Sequence, residues 1–134
     1  MTAAHRVLTS DRLPKPRFHY SPVVKAGPWI LVSGMIALDA ETGVLAAGGP
    51  AAETAKIMDN LKAALPDLGL TIAQLCRARI YTTQFEQFPA INEAWTVALK
   101  AVKDPPARTS VGVSALPLGA SVEIEFEFYG EDQS

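Results

Sequence analysis

Two periodicities of apolar residues organise this chain. Helical spacing recurs in two stretches. Met58, Leu61, Leu65 and Leu68, widened by Ile57 and Ala64, predict a helix over about 51–65, with Pro66 near its end and Gly69 closing it. Ile91, Trp95, Ala98, Leu99 and Val102 predict a second over about 88–102, stopped by Asp104-Pro105-Pro106. Elsewhere the pattern is that of strands. Residues 5–9 form a short first strand. Phe18 to Lys25 is extended but broken by Pro22, so a strand there lies at an edge or begins after the proline. Ala26-Gly27-Pro28 is a turn leading into the apolar run Trp29–Ser33, a central buried strand that pairs back as a hairpin. The run continues through Gly34 to Ala37, with Gly34 marking a bulge or a close approach to the backbone. Residues 38–50 are loop, with a brief strand at 43–46. Thr71 and Gln74 resemble a capping box.

Leu75 to Thr83 is a further strand, with Cys76, Ala78 and Ile80 on the core face and Arg77, Arg79 and Tyr81 opposite. The most informative stretch is Pro105 to Tyr129. Its two alternating runs flank Leu116-Pro117-Leu118-Gly119-Ala120, which predicts an antiparallel hairpin. In the second run Val122, Ile124, Phe126 and Phe128 take one face and Glu123, Glu125 and Glu127 the other. In the first, Arg108, Ser110, Gly112 and Ser114 oppose Thr109, Val111 and Val113. The arginine and the carboxylates are therefore expected to share a sheet face, which is either solvated or a site. Glu125 and Glu127 are expected to be solvated or to pair with Arg77 or Arg79. The tail 131–134 is expected to be loose.

The order strands, helix, strand, helix, strands predicts an α+β two-layer sandwich, one mixed sheet with both helices on one face. Its other face has apolar stretches such as Trp29 to Val32 and invites a partner. The 134 residues suffice for a single domain over 1–134. Hydrophobic residues make up 49% and charged residues 19%, which excludes a disordered chain. The net charge of −2, with no basic stripe, argues against gripping nucleic acid. No apolar run is long enough for a bilayer span, and the N-terminus lacks the apolar core of a secretory signal, so a soluble cytoplasmic protein is expected. His5 and His19 stand alone without metal-ligand spacing, and the single Cys76 is expected in the core.

Several segments together resemble a known family. These are Val24-Lys25-Ala26-Gly27, Leu31-Val32-Ser33-Gly34, the loop Leu38-Asp39-Ala40-Glu41-Thr42-Gly43, Pro106-Ala107-Arg108-Thr109-Ser110-Val111-Gly112-Val113, Leu116-Pro117-Leu118-Gly119-Ala120 and Val122-Glu123-Ile124-Glu125. In this order they resemble the Rid family, the reactive intermediate deaminases of YjgF type, over roughly residues 18–128. The resemblance implies a chorismate-mutase-like homotrimer with ligand clefts between subunits. It also implies hydrolysis of enamine and imine acids, such as 2-aminoacrylate and 2-iminopropanoate, to 2-keto acid and ammonia. By the same resemblance Arg108 holds the substrate carboxylate, Glu123 handles the water, and Tyr20, Ser33 and Gly34 line the cleft. Ser110 stands where many members carry cysteine, and Asn92 matches a frequent asparagine of the second helix.

That chemistry suits these residue types. A guanidinium grips a carboxylate through two parallel hydrogen bonds. An imine carbon is already electrophilic, so positioning and one base for water suffice. Neither metal nor organic cofactor is required, and the expected partners are a small carboxylate and further copies of the chain. The chain departs from the family pattern at Phe18, His19, Pro22 and Met35, which leaves the cleft lip bulkier and more apolar. Substrate size is therefore open. So is the alternative of a regulatory trimer that binds a small carboxylate without turning it over. A ribonuclease is the third reading, disfavoured by the acidic balance.

Overall fold

The computed structural model describes residues 3–130. The strands are β1 (Arg6–Leu8), β2 (Val23–Ala26), β3 (Trp29–Met35), β4 (Leu75–Thr82), β5 (Ala107–Gly112) and β6 (Val122–Tyr129). The helices are α1 (Gly49–Leu68) and α2 (Phe88–Ala98). The six strands form one mixed sheet in the order β1-β2-β3-β6-β4-β5. Only β4 and β5 pair in parallel. This is the expected α+β sandwich. The tail 131–134 lies outside the described residues.

The core sits between the helices and one face of the sheet. Ile57, Met58, Leu61 and Ala64 of α1 and Ile91 of α2 are fully enclosed with Val23, Ala78, Ile80, Val122, Ile124 and Phe128. α1 starts two residues before its expected boundary and carries Pro66 within its last turn. Gly69, at φ 71°, takes the left-handed conformation that turns the chain out of the helix. α2 ends at Ala98, short of the expected Val102. There the Lys62 ammonium donates to the Ala98 carbonyl at 2.8 Å and occupies an acceptor the next turn would have used. β2 begins after Pro22, and the β2–β3 hairpin turns through Gly27 at φ 60°. The brief strand expected at 43–46 reduces to one bridge between Leu38 and Leu45.

The C-terminal hairpin expectation is wrong. β5 and β6 run antiparallel to one another but do not pair, because β4 lies between them. Thr82 of β4 has Gly112 as its partner on one side and Val122 on the other. The connection 113–121 therefore straddles β4 and leaves β5 as the sheet edge. Cys76 is likewise not in the core. A register shift between Leu75 and Arg77 breaks the alternation, so Leu75 is buried and Cys76 is exposed.

The face away from the helices carries Trp29 and Leu31 of β3, Tyr129 and the three glutamates of β6, and Arg77, Arg79 and Tyr81 of β4. Its charges are largely paired within the sheet. Arg79 lies 3.8 Å from Glu125 and 3.4 Å from Glu127, and Arg77 lies 3.8 Å from Glu127, as expected for those two glutamates. Trp29 packs edge-on against Tyr129, and Trp29, Leu31 and Val111 remain exposed.

Candidate functional site

Straddling β4 has a direct consequence for the candidate residues. Partners across a ladder point to the same face. Arg108 partners Ala78, which partners Phe126, so Arg108 lies on the helix side. Glu123 partners Tyr81 and lies on the open side. Arg108 and Glu123 thus occupy opposite faces of the sheet, contrary to the expectation of a shared face.

The seven candidates fall into two groups. The first surrounds a cavity of about 250 Å³ lined by Arg17, Phe18, Tyr20, Ser33, Gly34, Ile36, Leu38, Pro117, Leu118 and Glu123. Tyr20, Ser33, Gly34 and Glu123 therefore meet. β3 positions two of them through a bulge between Val32 and Met35. The bulge brings the bare backbone of Gly34 against Glu123. A Cβ at Gly34 would lie 2.9 Å from both Cδ and Oε2 of that side chain. Glycine is present because any larger residue would displace the carboxylate. The bulge and the close approach suggested by sequence are both found at Gly34. The Ser33 hydroxyl donates to the Ser21 carbonyl at 2.7 Å, which ties the Tyr20 segment to β3.

Glu123 is half-buried, and among the described residues its carboxylate has no ion pair within 4.0 Å. Burial pushes it above the ordinary carboxylate value, and the neighbouring Glu125 carboxylate adds to the effect. Glu125 itself accepts a hydrogen bond from the Tyr81 hydroxyl, which raises the Tyr81 phenol. The start of β6 is held from below by Glu53 of α1. This buried carboxylate accepts from the Ser121 amide at 2.9 Å, the Val122 amide at 3.3 Å and the Ser121 hydroxyl. The apolar stripe of α1 does not mark Glu53 as buried, although its spacing of four from Ile57 sets it on that stripe and is the signal that could have found it. Arg17, Ile36, Leu38, Pro117 and Leu118 were not singled out as lining residues either, because no local pattern marks them.

The second group lies at the other side of the sheet. The Arg108 guanidinium carbon stands 5.3 Å from the centre of the Phe88 ring and 5.5 Å from that of Trp95. These distances suit cation–π attraction. Burial there lowers the Arg108 value from the ordinary guanidinium one. Ser110, two residues along the same strand face, has its hydroxyl oxygen buried without a hydrogen-bond partner among the described residues. A ligand oxygen or amine would satisfy it. Asn92 is half-buried on α2, four residues after Phe88 and three before Trp95, so helical spacing puts it on the same side as both rings.

The Endoribonuclease L-PSP family model matches residues 10–127. A RutC family protein of Pyrococcus abyssi is 32% identical over 128 residues, covering 96% of this chain and 99% of that protein. The crystal structure of RidA from the Antarctic bacterium Psychrobacter sp. superposes with a TM-score of 0.86 at 31% identity, covering 92% of this chain and 98% of that one. This chain belongs to the Rid family. A further relative, 32% identical over 90% of this chain and 92% of its own length, is the 2-iminobutanoate/2-iminopropanoate deaminase of Dermatophagoides farinae. Within this Rid chain, no group of three His, Cys, Asp or Glu side chains is placed to hold a metal ion among the described residues. The residues with polar side chains that line the cavity are Arg17, Tyr20, Ser33 and Glu123. No described helix is long and apolar enough to cross a membrane.

Proposed function

We propose that this Rid protein hydrolyses enamine and imine acids to the 2-keto acid and ammonia, in clefts formed between copies of a homotrimer. The observation that carries the reading is the Glu123 carboxylate, made more basic by burial and fixed against Gly34 in a cavity. A carboxylate with a raised value accepts a proton from water more readily and can return it. The steps balance without a further reagent. Glu123 takes a proton as the water oxygen bonds to the carbon of the protonated imine, giving a tetrahedral amino alcohol. That proton returns to nitrogen, the C–N bond breaks as the hydroxyl proton passes to Glu123, the carbonyl forms, and the departing ammonia carries the last proton away as ammonium. An enamine first moves a proton from nitrogen to carbon to reach the imine.

Arg108 would hold the substrate carboxylate, with Ser110 and Asn92 beside it. Because Arg108 and Glu123 point to opposite faces within one chain, the substrate would meet Arg108 of one copy and Glu123 of the next. The exposed apolar side chains of Trp29, Leu31 and Val111 give the open face a reason to pack on another copy. The name of the Dermatophagoides farinae relative, a 2-iminobutanoate/2-iminopropanoate deaminase, points the same way. A ribonuclease has weaker support, since the cavity's candidate base is a carboxylate and Arg77 and Arg79 are occupied by glutamates.

The test generates 2-aminoacrylate and larger enamines in place with a pyridoxal-phosphate lyase or an amino-acid oxidase. It then follows keto-acid release with and without this protein. Acceleration that is lost in Arg108→Ala supports the reading. No acceleration with any precursor, alongside saturable 2-keto-acid binding, would point instead to a carboxylate-binding regulatory protein.

A further inference from the structure

We infer that the cavity beside Glu123 selects substrates by an apolar side chain, so that the preferred imines derive from branched or long aliphatic amino acids rather than from alanine or an acidic amino acid. This rests on the deaminase reading and names its substrate class. Beside Arg17, Tyr20 and Ser33, the walls around Glu123 include Phe18, Ile36, Leu38, Pro117 and Leu118, whose side chains have no polar atoms. A three-carbon imino acid has six non-hydrogen atoms. Even at a full water's share of about 30 Å³ each, it would leave part of the cavity of about 250 Å³ unfilled.

Two features indicate that the walls are held for a ligand. Leu118 has φ 57°, the left-handed conformation that disfavours a branched residue, and it sits at the cavity wall with nearly half its surface exposed. An uncovered strained leucine is an outlier of the kind found at ligand sites. Phe18 is 70% exposed in the single chain, so its ring contributes little to the core. An acidic side chain fits less well. Among the described residues Arg17 is the one cation lining the cavity, its Nη2 donating to the Gly43 carbonyl at 2.8 Å, and the Glu123 carboxylate repels a second anion.

Each buried methylene is worth about fourfold in binding. A leucine-derived imine carries three more carbons than an alanine-derived one, so its kcat/KM is expected to be up to about 60-fold higher where all three are buried. The experiment generates imines in place from alanine, leucine, methionine and glutamate and measures kcat/KM for each in the wild type, Phe18→Ala and Leu118→Gly. The expected result is a preference for leucine and methionine, with the leucine-to-alanine ratio falling several-fold in either variant. Preference for the alanine- or glutamate-derived imine, or a ratio unmoved in both variants, overturns the inference. Should no imine be turned over, the deaminase reading fails and the cavity is read by calorimetry. Tighter binding of 4-methyl-2-oxopentanoate than of pyruvate then supports apolar selection, and equal or weaker binding overturns it.

Discussion

Replacing Gly34 by alanine separates catalysis from stability. The new methyl would lie 2.9 Å from Cδ and Oε2 of Glu123 and 3.2 Å from its Cγ. Ordinary carbon contacts lie at about 3.5–4.0 Å, so the carboxylate must retreat by roughly 0.6 Å or more. A misplacement of about 1 Å can cost 100-fold in rate, so the expected loss in kcat/KM for Gly34→Ala is about tenfold. Stability should hardly change. Removing a strand glycine gains roughly 0.5–1 kcal/mol. Pushing a flexible side-chain end off its rotamer costs roughly 0.5–1.5 kcal/mol, so the two nearly cancel. The assay pairs keto-acid release with a thermal melt, in which the midpoint should move by less than about 5 °C. In a Glu123→Gln background the same alanine should cost nothing further in rate, because the group it displaces no longer acts. Activity within twofold of wild type, or a rate loss that simply follows unfolding, would refute the argument that Gly34 exists to seat Glu123.

Two further outcomes follow from the same geometry. Glu123 has a raised value in the folded state, so its ionisation opposes folding. That cost is absent below its unfolded value of about 4.3 and grows as pH rises through the folded value. Glu123→Gln should therefore stabilise the protein at pH 8 relative to its effect at pH 4 in urea unfolding, and an equal effect at both would count against a desolvated carboxylate. Glu53→Ala strands the buried amides of Ser121 and Val122 and should cost about 2–4 kcal/mol in denaturant unfolding, with Glu53→Gln costing less. A loss under about 0.5 kcal/mol would remove Glu53 from the support of β6.

Much of this was legible in the sequence, and the residues show where legibility stops. The stripe of α1, the β2–β3 turn at Gly27 and the alternation of β6 state their structure locally, because burial imposes a period on each element by itself. The C-terminal stretch does not. Alternation says which residues share a face within a strand, but not which strand lies next to it. Two runs joined by Leu116–Ala120 read alike whether they pair or straddle a third strand. That choice is made by β4, some thirty residues earlier, and it decides the face on which Arg108 lies. Cys76 was misplaced for a similar reason, since one bulged residue inverts the alternation. Of the candidate residues, the structure gathers Tyr20, Ser33, Gly34 and Glu123 at one cavity and leaves Arg108, Ser110 and Asn92 across the sheet.

That division supplies the most direct test of a site shared between copies. Arg108→Ala and Glu123→Gln, each inactive alone, are unfolded together, refolded as a mixture and assayed for imine hydrolysis. If each cleft takes its arginine from one copy and its glutamate from another, random mixing restores about one quarter of the wild-type sites. The account predicts activity rising toward that level, well above either variant refolded alone. A mixture no more active than its two components, with mixed oligomers confirmed by mass, would contradict it.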